Sequence, residues 1–97
     1  MEKFVYLNEL FDIYGELLTE KQRNYFMDYY FDNLSFGEIA DNYKVSRNAI
    51  FHQLKLIEEK LNFYEEKLKI YSKKRIIDDI INTLDDKRIK DKFENLF

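Results

Sequence analysis

Two serines, Ser35 and Ser46, stand so close together that the chain around them can form only a pair of short-linked helices. Ser35 opens the stretch SFGEIADNYKVSRNAIFHQLKLIEEKL, and Glu38, three residues on, completes an S-x-x-E capping box. Phe36, Ile39, Ala40 and Tyr43 then give the first helix one apolar face. Ser46 caps the second, which carries Ile50, Leu54, Ile57 and Leu61 at spacings of four, three and four. Only Lys44 and Val45 lie between them, too few for an independent loop. Helices joined this tightly must pack across each other, the arrangement of a helix-turn-helix unit.

Upstream, Phe4, Leu7, Phe11, Tyr14 and Leu18 recur every three or four residues, and Leu10 and Leu17 widen that face. This predicts an amphipathic helix ending near Leu18. Gly15 within it costs about 1 kcal/mol of helix propensity against Ala, which predicts a close helix crossing there. Thr19 opens a second capping box, with Gln22 as its reciprocal partner. The helix that follows, Glu20 to Phe31, has Tyr25, Phe26, Tyr29 and Tyr30 as its apolar band and Met27 at the edge. These tyrosines read as core with hydroxyls reaching the surface, ahead of a base-stacking platform. Asp32-Asn33 is a turn leading into Ser35.

Downstream, the seam from Ile50 continues as Leu54, Ile57, Leu61, Tyr64, Leu68 and Tyr71. Alternation of four and three predicts one helix from Arg47 to Tyr71, about 37 Å long. Leu56, Phe63 and Ile70 form a second stripe, so that helix is expected to be covered on two faces. Ser72 predicts a break before a short helix whose face is Ile76, Ile77, Ile80, Ile81 and Leu84. Asp85-Asp86 gives a turn or cap. A last helix groups Ile89, Phe93, Leu96 and Phe97, with Lys87, Arg88, Lys90 and Lys92 outside. That tail has three fates open to it: docking on the second stripe, fraying, or meeting a partner.

Ninety-seven residues with 45% hydrophobic content suit one small helical domain rather than a disordered chain. It comprises residues 1–97, with a helix-turn-helix core over 19–61 and a long-helix extension with C-terminal helices over 62–97. Two glycines and no proline fit short connections, and the lack of cysteine excludes disulfides and thiolate chemistry. No apolar run approaches the roughly 18 residues of a membrane span, and the N-terminus lacks the basic start of a signal peptide. The cytoplasm is the expected compartment. A lone histidine, His52, cannot assemble a zinc set, and no glycine-rich phosphate loop is present, so no metal or cofactor is expected. Glu58/Glu59, Glu65/Glu66, Asp78/Asp79 and Asp85/Asp86 are adjacent pairs, which point apart on a helix and suit a solvated face rather than catalysis. An enzyme is not expected.

The net charge of −3 argues against a general polyanion binder, so any basic surface is local. Residues 1–34 hold three basic and seven acidic side chains, residues 35–60 four of each, and residues 61–97 nine and eight. In a DNA reader the start of the second helix enters the major groove. Here that start offers Arg47, Asn48, Phe51, Lys55 and, at the edge, His52. Arg47 and Asn48 suit bidentate base contacts, while Phe51 suits a thymine methyl or an unpaired base. One turn on, Glu58, Glu59, Asn62, Glu65 and Glu66 follow on the same face, which limits docking to the first two turns. Lys67, Lys69, Lys73, Lys74 and Arg75 form a second basic cluster, either a solvated face or a patch for RNA or an acidic protein.

Residues Thr19 to Leu61 resemble the fourth-region helix-turn-helix of bacterial sigma factors, through LTEKQRNYF, LSFGEIA and VSRNAI. Over about residues 7 to 84 the chain more closely resembles the YlxM-type family of small bacterial helix-turn-helix proteins. LFDIYGELLTEKQRNYFMDYYFDNLSFGEIADNYKVSR and then LNFYEEKL carry that resemblance. It implies an all-α, cytoplasmic, non-enzymatic protein. Its fold would be a helix-turn-helix, sigma region-4-like and winged-helix-type at superfamily level, with a long recognition helix extended into C-terminal helices. It also implies a regulatory or assembly factor of the signal recognition particle, working through that particle's RNA or its GTPase subunit in protein targeting. The alternative is a dimeric, sequence-specific DNA-binding transcription regulator using Arg47, Asn48 and Lys55; a third reading is a scaffold built on the two-striped helix. Where many such units have glycine in the turn, this chain has Asn42-Tyr43-Lys44, of which Asn tolerates a left-handed conformation best. The two stripes predict a homodimer through the long helix and the C-terminal helices.

Overall fold

The computed structural model describes residues 2–84 and 86–96. Its helices run α1 Glu2–Tyr14, α2 Glu20–Tyr30, α3 Phe36–Tyr43, α4 Arg47–Leu68, α5 Ile70–Asn82 and α6 Lys87–Glu94. No strand occurs among the described residues. Expectations resting on Asp85 or Phe97 lie outside them.

Local chemistry sets the helix starts. Thr19 Oγ1 accepts from the Gln22 amide at 3.1 Å and the Gln22 side chain accepts from the Thr19 amide at 3.1 Å. Ser35 and Glu38 close the same reciprocal box on α3. Ser46 Oγ accepts from the Ala49 amide, starting α4. Each cap satisfies donors that would otherwise lack a partner, for about 1 kcal/mol.

The core is the seam of α4. Ile50, Leu54, Ile57 and Leu61 are buried, and α1, α2 and α3 all pack on this helix. From α1 come Leu7, Leu10 and Tyr14, from α2 Tyr25 and Phe26, from α3 Ile39 and Ala40. The aromatic band of α2 is therefore largely core: Phe26 stacks on Phe11 with centroids 4.3 Å apart.

Several expectations need correction. The helical phase of α1 does not reach Leu18, because Gly15–Leu17 tightens into a 3-10 turn. Leu18, an extended residue after that turn, is buried as its place on the apolar face predicts, whereas Leu17 does not widen that face and is exposed. Gly15 marks no helix crossing: a Cβ there would meet the Phe11 ring, one turn back, at 3.2 Å. The turn of the helix-turn-helix puts Lys44, not Asn42, in the left-handed region, at φ 57°. Its amide still bonds back to Ala40 and Asp41, so the conventional helix end forms without glycine.

The long helix is also shorter than the heptad pattern predicts. It stops at Leu68 because Lys69 is left-handed, at φ 55° and ψ 30°, and α5 starts directly after it. Tyr64 and Tyr71 still pack on the core across this break, while Leu68 is exposed. The second stripe is divided: Ile70 opens α5 and packs on the core, but Leu56 and Phe63 are 41% and 54% exposed. The tail does not cover them, since α6 meets α5. Asp86 caps α6, accepting from the Arg88 amide at 2.9 Å.

Glu65 fixes the break. Expected on the solvated face, it is 7% exposed. Oε1 accepts from Tyr14 Oη at 2.7 Å and from the Tyr71 amide at 2.9 Å. Oε2 accepts from the Ser72 amide at 3.1 Å and from Ser72 Oγ at 2.7 Å. Tyr14 Oη in turn accepts from the Ile70 amide at 3.1 Å. The first amides of α5 are thus capped by side chains of α1 and α4, with a carboxylate at the positive end of the helix dipole. Burial raises the Glu65 pKa, but the hydrogen bonds from Tyr14, Ser72 and the Tyr71 amide outweigh it and hold the value below 4.5. Burial, then the Glu65 hydrogen bond, pushes the Tyr14 phenol up to about 12.

Glu65→Ala is expected to cost about 2–4 kcal/mol and loosen α5, read as a lower melting temperature and faster amide exchange at Tyr71 and Ser72. Because folding depresses the Glu65 pKa, its contribution is complete above 4.5 and is lost as pH falls through the lower folded value. Acid titration of stability should therefore lose part of its slope in Glu65→Ala. Lys44→Gly relieves a left-handed lysine and is expected to stabilise the fold by about 0.5–1 kcal/mol in denaturant melts.

Candidate nucleic-acid interface

The first two turns of α4 stand clear of the core because the seam Ile50–Leu54 holds the opposite side of the helix. Arg47, Asn48, Phe51, His52 and Lys55 are all exposed there, so the structure brings the five together on one outward face. Arg47 is not a free arm. Its guanidinium lies against Gly37 at the start of α3, where an added Cβ would sit 2.9 Å from Nε and 3.0 Å from Nη2. Gly37 thus leaves the space into which Arg47 folds, beside Asn48 and Phe51, around a shallow cavity of about 560 Å³.

Phe51 is 46% exposed and is held edge-on by two rings. Phe36 lies 5.9 Å away at 69°, and His52 5.5 Å away at 68°. Phe36 stacks on Tyr29 at 5.1 Å, and Phe4 reaches Tyr29 and Tyr30 from α1. An aromatic run therefore leads from the α1–α2 junction to the outer face of α4. Beside it lies a groove of about 410 Å³ whose walls include Tyr29, Phe36, Phe51 and Lys55. Burial, followed by the Glu58 charge and Tyr29, pushes the Tyr30 phenol up to about 12.

The acidic continuation of this face is weaker than the sequence predicts. Glu65 points inward, and Glu58 pairs with Lys3 at 3.0 Å. Glu59 and Glu66 are exposed. The Lys3 pair is too solvated to add much stability, yet it offsets one charge at the edge of the face. Lys3 and Gly37 escape sequence reasoning because neither carries a local signal: Lys3 acts across the α1–α4 contact, and Gly37 by what it lacks.

The second basic cluster is spread over two helices. Lys67 ends α4 with its ammonium 5.7 Å from the Phe63 ring centre, and Lys69 is the left-handed break. Lys73, Lys74 and Arg75 lie on α5. Arg75 donates to Tyr71 Oη at 3.2 Å, and with Lys74 it borders a cavity of about 240 Å³ shared with Glu9, Asp12 and Asp78. Hydrogen bonding to Glu9, then burial, raises the Tyr71 pKa. Lys74 and Arg75 therefore border acids of α1. Among the described residues, no group of three or more His, Cys, Asp or Glu side chains is arranged to hold a metal ion. No described helix is long and apolar enough to cross a membrane.

Comparison with known proteins agrees with this architecture. A family model described as UPF0122, "Putative helix-turn-helix protein, YlxM / p13 like", matches residues 1–96. A UPF0122 protein of Shouchella clausii is 52% identical over 61 residues, covering 63% of this chain and 56% of that relative. UPF0122 proteins of Bacillus pumilus and Anoxybacillus flavithermus are 49% identical over the same lengths. The chain thus matches little more than half the length of these curated relatives.

Gly37→Ala tests the packing of Arg47. The fold is expected to persist, with a stability change within about 1 kcal/mol, because a flexible guanidinium can move aside. The Arg47 Nε–H resonance should shift in the variant while the melting temperature stays nearly constant.

Proposed function

This chain belongs to the UPF0122 family of YlxM/p13-like helix-turn-helix proteins, and from that premise we propose that it is a non-enzymatic nucleic-acid-binding module. Its probe is the first two turns of α4. The observation that carries this reading is the exposed set Arg47, Asn48, Phe51, His52 and Lys55 on one face, with α3 seated behind it. Arg47 and Asn48 supply bidentate donors for base edges, and Lys55 a phosphate contact. Phe51 supplies an apolar edge for a thymine methyl. The inward turn of Glu65 and the Lys3–Glu58 pair lessen the repulsion that a phosphate backbone would meet. In this reading the protein is a sequence-specific DNA-binding regulator of the cytoplasm.

Selection from a random duplex pool tests the reading. A recovered motif is expected, with Arg47→Ala weakening binding to it by about 1–3 kcal/mol and relaxing one position. Lys55→Ala should weaken all sequences alike and lower the salt slope by about one. An empty selection together with indifference to Arg47→Ala would reject it.

A second reading is a regulatory or assembly factor of the signal recognition particle, acting through its RNA or its GTPase subunit. The YlxM resemblance motivates it. The aromatic run ending at Phe51 favours RNA, whose unstacked bases are recognised on such rings. Separate pull-downs with the particle's RNA and its GTPase subunit decide between the targets, and capture of neither sinks this reading.

A further inference from the structure

Beyond Ile70 and Tyr71, at the start of α5, the chain leaves its core. The radius of gyration is 16.6 Å, against about 13 Å for a compact domain of this length, and the long axis is 53 Å. Of α5 only Ile81 is buried, and of α6 nothing is. Ile76 and Ile80, one turn apart, are 59% and 51% exposed. Ile77 and Ile81 turn toward the other side, where Ile81 is covered. The helix thus carries one wide apolar face, and the chain covers only the edge of it that holds Ile81. Scattered apolar side chains are ordinary on a surface, but a line of them on a projecting arm marks a contact.

The charges of α5 say what contact. Lys73, Lys74 and Arg75 occupy its first half, Asp78 and Asp79 its second. This order opposes the helix dipole, which favours acids at the start and bases at the end. Lys74 and Asp78 turn toward α1. Arg75 and Asp79 are exposed four residues apart along one edge of the isoleucine face, so in an antiparallel pair of such helices each Arg75 lies along the other's Asp79, and the dipoles oppose. A parallel copy would align like charges. A basic-to-acidic helix edged by isoleucines is therefore complementary to itself.

We propose that the uncovered Ile76–Ile80 face of α5 docks a second copy of this chain, α5 against α5 in antiparallel sense about a twofold axis. The contact is isologous, so it closes at two chains. It leaves the outer face of α4 untouched and is independent of which nucleic acid that face meets.

Sedimentation equilibrium of the full chain at micromolar concentration tests this. The wild type is expected at twice 12.0 kDa. Ile76→Glu with Ile80→Glu should give the single-chain mass with its helical circular dichroism kept. Should that variant fail to fold, charge changes at exposed positions carry the test. A chain with Lys73→Glu and Arg75→Glu, and another with Asp78→Lys and Asp79→Lys, should each be monomeric alone and pair when mixed. A chain with all four changes, mixed with the wild type, should sort into two homodimers by native mass spectrometry. A monomeric wild type, which would leave the face for a different partner, overturns the proposal. So does an unchanged dimer in the isoleucine variant, or preferential pairing of the fourfold variant with the wild type.

Discussion

Burial of one side of α4 is the constraint on which the rest of this structure depends. Ile50, Leu54, Ile57 and Leu61 are almost wholly removed from solvent, each worth about 1.5–3 kcal/mol. Three helices share that seam: α1, α2 and α3 meet α4 more than they meet one another. Fixing the inner side of α4 also fixes its outer side. The positions of Arg47, Asn48, Phe51 and Lys55 follow from the core rather than from contacts of their own.

The second determinant is electrostatic. At Lys69 the chain changes direction, and a left-handed lysine alone would leave the new helix with unpaired amides. Glu65 and Tyr14 supply the missing acceptors from two other elements. A carboxylate is costly to bury, so its four hydrogen bonds and the α5 dipole are what keep it charged there. The same arrangement removes Glu65 from the outer face, where it would have opposed a phosphate backbone. One side chain thereby sets both the direction of α5 and the charge of the candidate interface.

The arm and the interface use different physics. On the face of α4 the informative groups are polar donors and one ring, set on a rigid helix and backed by stacked aromatics. On α5 they are isoleucines with charges of both signs arranged along the helix. The first suits a ligand read by hydrogen bonds, the second a surface matched by shape and charge. In the proposed reading, a helix-turn-helix with a projecting arm separates these tasks along its length.

The sequence by itself determined the helix starts and the core. Thr19, Ser35 and Ser46 act on amides only three residues ahead, and the α4 seam is a matter of period, so both are written locally. Membership of the helix-turn-helix class was legible for the same reason. Tertiary structure alone decided the break at Lys69, where periodicity predicted an unbroken helix, and the inward turn of Glu65. It also decided the Lys3–Glu58 pair, the seat of Arg47 on Gly37 and the exposure of Leu17. Tyr14 and Glu65 lie 51 residues apart, and their bond at 2.7 Å exists only once α1 has packed on α4. A heptad records which side chains prefer to be buried; it does not record where a distant carboxylate will offer a new helix its first acceptors.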